Sequence, residues 1–140
     1  IGYEGVGTIE FLVDKHGDFY FMEMNTRIQV EHPITEQVTG FDLIREQIML
    51  AAGEPISGQN YYPNGHSIEC RINAENPNEN FTPSPGDVFW LNRSDFSHIR
   101  IDTALKNHSK ITPAFDSLIA KVITHGQSRE DAINQINAVK

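Results

Sequence analysis

The chain has 140 residues, enough for one domain or two partial ones, and its 39% hydrophobic and 21% charged content is that of a soluble globular protein. A formal net charge of −8 excludes nucleic acid as the main partner, and no apolar run is long enough for a membrane span. The single cysteine, Cys70, excludes an internal disulfide and suits a reducing, cytoplasmic setting, where it reads as a buried strand residue.

Ile1 is no initiator and Lys140 interrupts a helical pattern, so the sequence reads as a piece of a longer chain. Gly2, Gly5 and Gly7 lead into a strand rather than a helix N-terminus, which makes them a turn and not a phosphate loop. Gly7 to Val13 reads as a strand, Lys15-His16-Gly17-Asp18 as a turn with His16-Gly17 at its tip, and Phe19 to Asn25 as the return strand. Counting back from that tip sets Leu12 against Phe21, Phe11 against Met22, and Glu10 against Glu23.

Two carboxylates so placed, with Cβ atoms about 5 Å apart, repel unless something neutralises them. Mg²⁺ or Mn²⁺ would do so, with Asn25 on the same face as a third oxygen ligand. The alternative is that one carboxyl stays protonated and no metal binds.

Beyond the strand, Glu23, Asn25, Arg27, Gln29 and Glu31 alternate with Met24, Ile28 and Val30. As a solvated face this row is unusual, because it offers hard oxygen ligands, a planar anion clamp in Arg27 and a base in Glu31. Ile34 to Thr39 then predicts a short helix ended by Gly40. Asp42 caps a second helix, Leu43 to Ala52, with Ile44, Ile48 and Ala51 on its packing face and Arg45 and Glu46 on its wet side. Gly53 and Pro55 stop it.

Ser57 to Gly65, rich in Gly, Asn, Tyr and Pro, reads as a linker that separates residues 1–62 from a mainly β unit, 63–140. His66 to Asn73 alternates, with Ile68, Cys70 and Ile72 inward and Glu69, Arg71 and Asn73 on the polar face. Arg71 there could simply pair with Glu69 or Glu75. Asn76 to Gly86 carries three prolines and reads as an irregular loop; Asp87 to Leu91, His98 to Asp102 and Leu118 to Thr124 read as strands. Ser128 caps a last helix with Glu130 and Asp131 in its first turn and Ala132, Ile133, Ile136 and Val139 on its apolar side. The fold class is α+β.

Gly7-Thr8-Ile9-Glu10-Phe11-Leu12, the run from Glu23 to Pro33, Glu69-Cys70-Arg71-Ile72-Asn73-Ala74-Glu75, Pro83-Ser84-Pro85-Gly86 and Asp116-Ser117 resemble the biotin carboxylase family of ATP-grasp enzymes. The resemblance covers nearly the whole chain. It implies the end of an ATP-grasp domain at 1–62, followed by a truncated, mainly β biotin carboxylase C-terminal domain at 63–140. The implied activity is ATP-dependent carboxylation of biotin with bicarbonate.

By that resemblance, Glu10, Glu23 and Asn25 hold the divalent metal that bridges ATP phosphates, so Glu10 and Glu23 are also ATP-site residues. Arg27, Gln29 and the backbone of Val30 bind bicarbonate, Glu31 deprotonates it, and Arg71 lies beside biotin. Arg27 and Glu31 are the catalytic pair. Implied partners are a biotin carboxyl carrier protein, a carboxyltransferase component and a second copy in a homodimer. Thr26 and Pro33 stand where pyruvate carboxylases of the family tend to carry Pro and Thr. They point to an acyl-CoA form, foremost the biotin carboxylase component of acetyl-CoA carboxylase in fatty acid synthesis. The glycine-rich loop that covers ATP in the family is absent from this sequence, so the piece alone is expected to be inactive. A different ATP-grasp ligase would share the carboxylate hairpin but lack the Arg27-to-Glu31 run. A non-catalytic folded or interacting module is the remaining alternative.

Overall fold

The computed structural model describes residues 2–56, 58, 60–89 and 99–139. The chain divides into two compact units, Ile1–Tyr62 and Pro63–Lys140, and both mix helix with strand, as an α+β chain does.

The first unit opens with an antiparallel hairpin, β1 (Thr8–Val13) and β2 (Phe19–Asn25). Its tip differs from the two-residue turn expected from His16-Gly17. The Asp14 amide donates to the Asp18 carbonyl (2.9 Å) and the Gly17 amide to the Asp14 carbonyl (3.1 Å), which leaves three residues, Lys15-His16-Gly17, at the tip. The cause is Asp14. Its Oδ1 accepts from the amides of His16 (2.8 Å) and Asp18 (3.1 Å), a side-chain turn that takes one more residue into the loop. Gly17 closes it at φ +88°, a conformation glycine adopts without cost.

The register near the tip is therefore one residue away from the expected count: Val13 faces Phe19, Leu12 faces Tyr20 and Phe11 faces Phe21. A bulge between Glu10 and Phe11 then restores it. Met22 is the extra residue on β2, and Glu10 faces Glu23, Ile9 faces Met24 and Thr8 faces Asn25. Phe11 packs edge-on against Phe19 (centroids 5.5 Å) and Phe21 (6.2 Å).

The strand alternation stops at Asn25, so the polar row does not continue as one face. Residues 26–31 are loop and turn, and α1 starts at His32, two residues earlier than Ile34, because Pro33 suits the first helical turn. α1 (His32–Thr39) ends at Gly40 in the left-handed region, whose amide donates to the Glu36 carbonyl (2.8 Å). α2 (Leu43–Ala51) is capped by Asp42, which accepts from the Arg45 amide (2.8 Å). The Glu36 side chain of α1 accepts from the Leu43 amide (2.9 Å), so one helix caps the next.

The expected packing face of α2 is wrong. Ile44, Ile48 and Ala51 are exposed, whereas Leu43, Gln47, Met49 and Leu50 are half-buried; Glu46, placed on the wet side, is half-buried too. Leu43 and Leu50 recur at helical spacing as Ile44, Ile48 and Ala51 do, so periodicity alone could not choose between the two stripes.

The second unit runs β3 (His66–Asn73), β4 (Glu75–Asn76), β5 (Thr82–Pro83), β6 (Gly86–Asp87), β7 (Arg100–Asp102), β8 (Lys110–Ile111), β9 (Leu118–Gly126) and α3 (Arg129–Asn137). The main sheet is antiparallel in the order β3-β9-β7. As its central strand, β9 buries Val122, Ile123 and Thr124, and it extends two residues past the expected end at Thr124. The short ladders β4-β5 and β6-β8 punctuate the proline-rich loop and the segment after it. Of the strand expected over Asp87 to Leu91 only Asp87 is strand, as the end of β6, while Val88 and Phe89 are not and 90–91 lie outside the described residues; that expected over His98 to Asp102 is strand from Arg100, and His98 lies outside the described residues.

α3 has the expected Ser128 cap, completed into a capping box by Asp131 (3.1 Å in each direction). It seats fully buried Ala132 against β9, where Thr124 Oγ1 donates to the Ala132 carbonyl (3.0 Å). Cys70 is exposed, not buried. Among the described residues β3 is an edge strand of its sheet, and Cys70 and Ile72 are exposed there although Val122, opposite Cys70 on the central strand, is buried.

Candidate functional site

The bulge at Met22 decides which side chains meet. Glu10 and Phe11 are adjacent on β1 and point to opposite faces; Glu10 pairs with Glu23 and Phe11 with Phe21. Were Met22 paired as an ordinary strand residue, Phe21 and Glu23 would share a face. Because it is bulged, Glu23 and Asn25 turn onto the side of Glu10.

The side chains bear this out. Asn25 Nδ2 donates to Glu10 Oε1 (3.0 Å) and to Glu23 Oε1 (2.8 Å), and so bridges the two carboxylates. Asn25 Oδ1 in turn accepts from Arg27 Nη2 (3.3 Å). Glu10 and Asn25 are half-buried, and Glu23 and Arg27 are exposed. The like charges face one another across the ladder and are held by a single neutral amide.

That donor set fits a hard divalent cation. Among the described residues no group of three His, Cys, Asp or Glu gathers at one place. Two carboxylates and an amide oxygen are, however, the kind of partial shell Mg²⁺ takes when phosphate oxygens and water complete it.

Past Asn25 the loop is bound into the start of α1. Arg27 Nη1 donates to the Ile28 carbonyl (3.3 Å), which curls the guanidinium over its own turn. The Gln29 carbonyl meets His32 Nδ1 (2.7 Å) and accepts from the His32 amide (3.3 Å). Gln29 and Val30 are half-buried. Exposed Glu31 is the N-cap residue of α1, and its side chain makes no capping bond to the helix. The Glu31 backbone carbonyl accepts from the Ile34 amide (3.1 Å), so the helix holds the residue through its main chain. The structure thus brings Glu10, Glu23, Asn25 and Arg27 into one bonded cluster, with Gln29, Val30 and Glu31 following on the loop.

Arg71 belongs to the second unit, exposed on β3. Glu75, one acid that could have paired with it, accepts instead from Ser117 Oγ and from Asn73 Nδ2 (3.4 Å). Directly opposite Arg71 stands Lys121 of β9, and opposite Lys121 stands Asp102 of β7. Asp102 accepts the fork of Arg100 (Nε to Oδ1 2.8 Å, Nη2 to Oδ2 2.9 Å), and Lys121 Nζ lies 3.7 Å from its Oδ2. Sequence reasoning missed Lys121 as a neighbour of Arg71, because only the register of distant strands places the two together.

Residues 69–139 match the family model of the biotin carboxylase C-terminal domain, and residues 1–59 that of the carbamoyl-phosphate synthase L chain ATP binding domain. The biotin carboxylase of Allochromatium vinosum is 49% identical over 143 residues, covering 100% of this chain and 31% of that protein. A pyruvate carboxylase subunit of Methanothermobacter thermautotrophicus is 49% identical over 138 residues, 97% of this chain and 28% of that one. The chain therefore spans about three-tenths of the length of these curated relatives. Among solved structures, the biotin carboxylase domain dimer of Hydrogenobacter thermophilus 2-oxoglutarate carboxylase, in complex with MgADP, ADP and bicarbonate, superposes with a TM-score of 0.84. It is 45% identical, and the match covers 98% of this chain and 31% of that one.

Proposed function

The chain belongs to the biotin carboxylase family, and on that premise we propose that the protein containing it carboxylates biotin, using ATP and bicarbonate. Residues 1–62 are then the C-terminal part of an ATP-grasp domain, and 63–140 part of the biotin carboxylase C-terminal domain. The observation that carries the reading is the Glu10–Glu23 pair bridged by Asn25, followed directly by the Arg27-to-Glu31 run.

In this reading Glu10, Glu23 and Asn25 hold Mg²⁺ or Mn²⁺ at the ATP phosphates. The cation supplies neutralisation of the charge that develops during phosphoryl transfer. Arg27 offers a fork of donors to the planar bicarbonate, with Gln29 and the Val30 main chain completing its cradle. Glu31 accepts the bicarbonate proton as an oxygen of the anion attacks the γ-phosphorus and ADP leaves. The resulting carboxyphosphate releases CO₂ and phosphate; the released phosphate takes the proton from the biotin nitrogen, and that nitrogen takes up the CO₂. Arg71 stabilises the enolate-like biotin anion that carries out that attack.

Biotin arrives on a carrier protein, and a carboxyltransferase component passes the carboxyl group on. A homodimer and a cytoplasmic location fit the same reading. No helix among the described residues is long and apolar enough to cross a membrane. Thr26 and Pro33 favour an acyl-CoA acceptor, acetyl-CoA foremost; relatives that include a 2-oxoglutarate carboxylase and a pyruvate carboxylase leave that choice resting on those two positions.

The test is phosphate release from ATP by the full-length protein, with biotin and bicarbonate each omitted in turn. Release that depends on both is expected, with none from the 140-residue chain alone, which spans about three-tenths of the length of its curated relatives. ATP hydrolysis by the full-length protein indifferent to biotin would overturn the reading.

A further inference from the structure

We propose that the Asn25 side-chain amide couples the two halves of this site, because it must turn over for the cation to bind and in doing so releases Arg27. The inference rests on the assignment of the cation to Glu10, Glu23 and Asn25 given above.

The neighbours of the amide dictate its orientation. Ionised carboxylates only accept hydrogen bonds, and a guanidinium only donates. An amide between them has one satisfactory orientation, Nδ2 toward Glu10 and Glu23 and Oδ1 toward Arg27. That is the arrangement found, at 3.0, 2.8 and 3.3 Å. A hard cation takes oxygen ligands and not an amide NH₂. For Asn25 to become a ligand, the amide must rotate by half a turn about its Cβ–Cγ bond.

Rotation changes both ends. The two bonds to the carboxylates are lost, and the cation's attraction for three oxygens replaces them. At the other end Nδ2 now faces Arg27, donor against donor, and the Nη2–Oδ1 bond breaks. At 3.3 Å that bond lies at the long end of the range and is easily given up. Arg27 loses the contact that ties it to the cation site, and its fork turns to the anion. By linkage, an anion on Arg27 favours the rotated amide and so favours the cation. Asn25 is a positioning residue for Arg27 as well as a ligand, so each ion raises the site's affinity for the other.

Asn25→Asp separates the two roles. An aspartate presents oxygen to the cation without rotating, and its other oxygen accepts from Arg27 whether or not the cation is present. Bicarbonate affinity of the full-length protein is measured by titration calorimetry with and without Mg²⁺–ADP, and Mn²⁺ binding by electron paramagnetic resonance. Direct attraction between cation and anion survives the substitution. The expected result is Mn²⁺ binding retained in Asn25→Asp, with the cation's enhancement of bicarbonate affinity smaller than wild type by on the order of three- to tenfold, the worth of one exchanged hydrogen bond. A second readout is the ¹⁵N-labelled Asn25 side-chain amide signal, assigned by its loss in Asn25→Asp, which should move when Mg²⁺–ADP is added.

An enhancement as large in Asn25→Asp as in wild type, or an amide signal unmoved by Mg²⁺–ADP, overturns the coupling and leaves the cation site standing. A wild-type protein that binds no Mn²⁺ overturns both.

Discussion

Phe21 and Glu23 stand two residues apart on β2 yet point to opposite faces, because Met22 between them is the extra residue of a bulge. The aromatic end of the hairpin and its carboxylate end are thus turned relative to each other, and the bulge is where the turn is made.

Deleting Met22 should leave the cation site working. Glu23 would follow Phe21 directly, and ordinary alternation would keep Glu10 opposite Glu23 and Phe11 opposite Phe21. Deleting Met24 instead breaks the spacing of Glu23 and Asn25. In the full-length protein, Mn²⁺–ATP affinity should stay within roughly tenfold of wild type in the first deletion and vanish in the second. Equal loss in both would show that the bulge shapes the site beyond setting its register.

Arg27→Lys should lower turnover sharply although charge is kept, since the ammonium cannot fork around a planar anion. Glu31→Gln should cost about 10² to 10⁴ in bicarbonate-dependent rate. It should leave α1 intact, because the Glu31 side chain gives the helix no capping bond. Rates and thermal unfolding measured on the same preparations separate the effects: near-wild-type turnover in Glu31→Gln would remove it as the base.

Arg71→Ala should reduce biotin carboxylation by on the order of 10² to 10³, the worth of one donor to a developing negative charge, with Mg²⁺–ATP affinity near normal. Nucleotide titration beside product assay checks it. A large loss of ATP affinity with biotin use intact would move Arg71 to the nucleotide.

Gly126→Ala should loosen the second unit. A Cβ there would lie 2.6 Å from Asp131 Cβ and 2.7 Å from Ala132 N, where β9 meets the first turn of α3. Overpacking of this kind costs about 1–3 kcal/mol. Hydrogen exchange at β9 and α3 should accelerate on the order of tenfold or more, while Gly86→Ala, with nothing within 4 Å of the added carbon, should change little. Unchanged exchange in Gly126→Ala would mean the strand shifts to make room.

The carboxylate pair is legible in the sequence, but through two errors that cancel. Counting from a two-residue tip gives Glu10 opposite Glu23. The real tip has three residues, because Asp14 binds two amides, and the bulge at Met22 returns the missing step. The Asp42 and Ser128 caps are local hydrogen-bond chemistry and are found as expected. What depends on distant partners is not legible: which stripe of α2 packs, that β3 with its Cys70 lies at a sheet edge, and the placement of Lys121 opposite Arg71.

The aromatic end of the hairpin bears on how the polypeptide is made. Phe19, Phe21, Leu12 and Val13 are all more than half exposed, and β1 and β2 pair only with each other among the described residues. Cross-β association between nascent chains is seeded by β-prone, uncharged windows of about five to seven residues, and Asp18 and Glu23 hold the run Phe19 to Met22 just short of that length. The charges flanking that window, Asp14, Lys15 and Asp18 before it and Glu23 after it, act as gatekeepers during synthesis. Glu23 thereby serves solubility before it serves any ligand, and a neutral residue there would lower the yield of folded protein as well as its affinity for a cation.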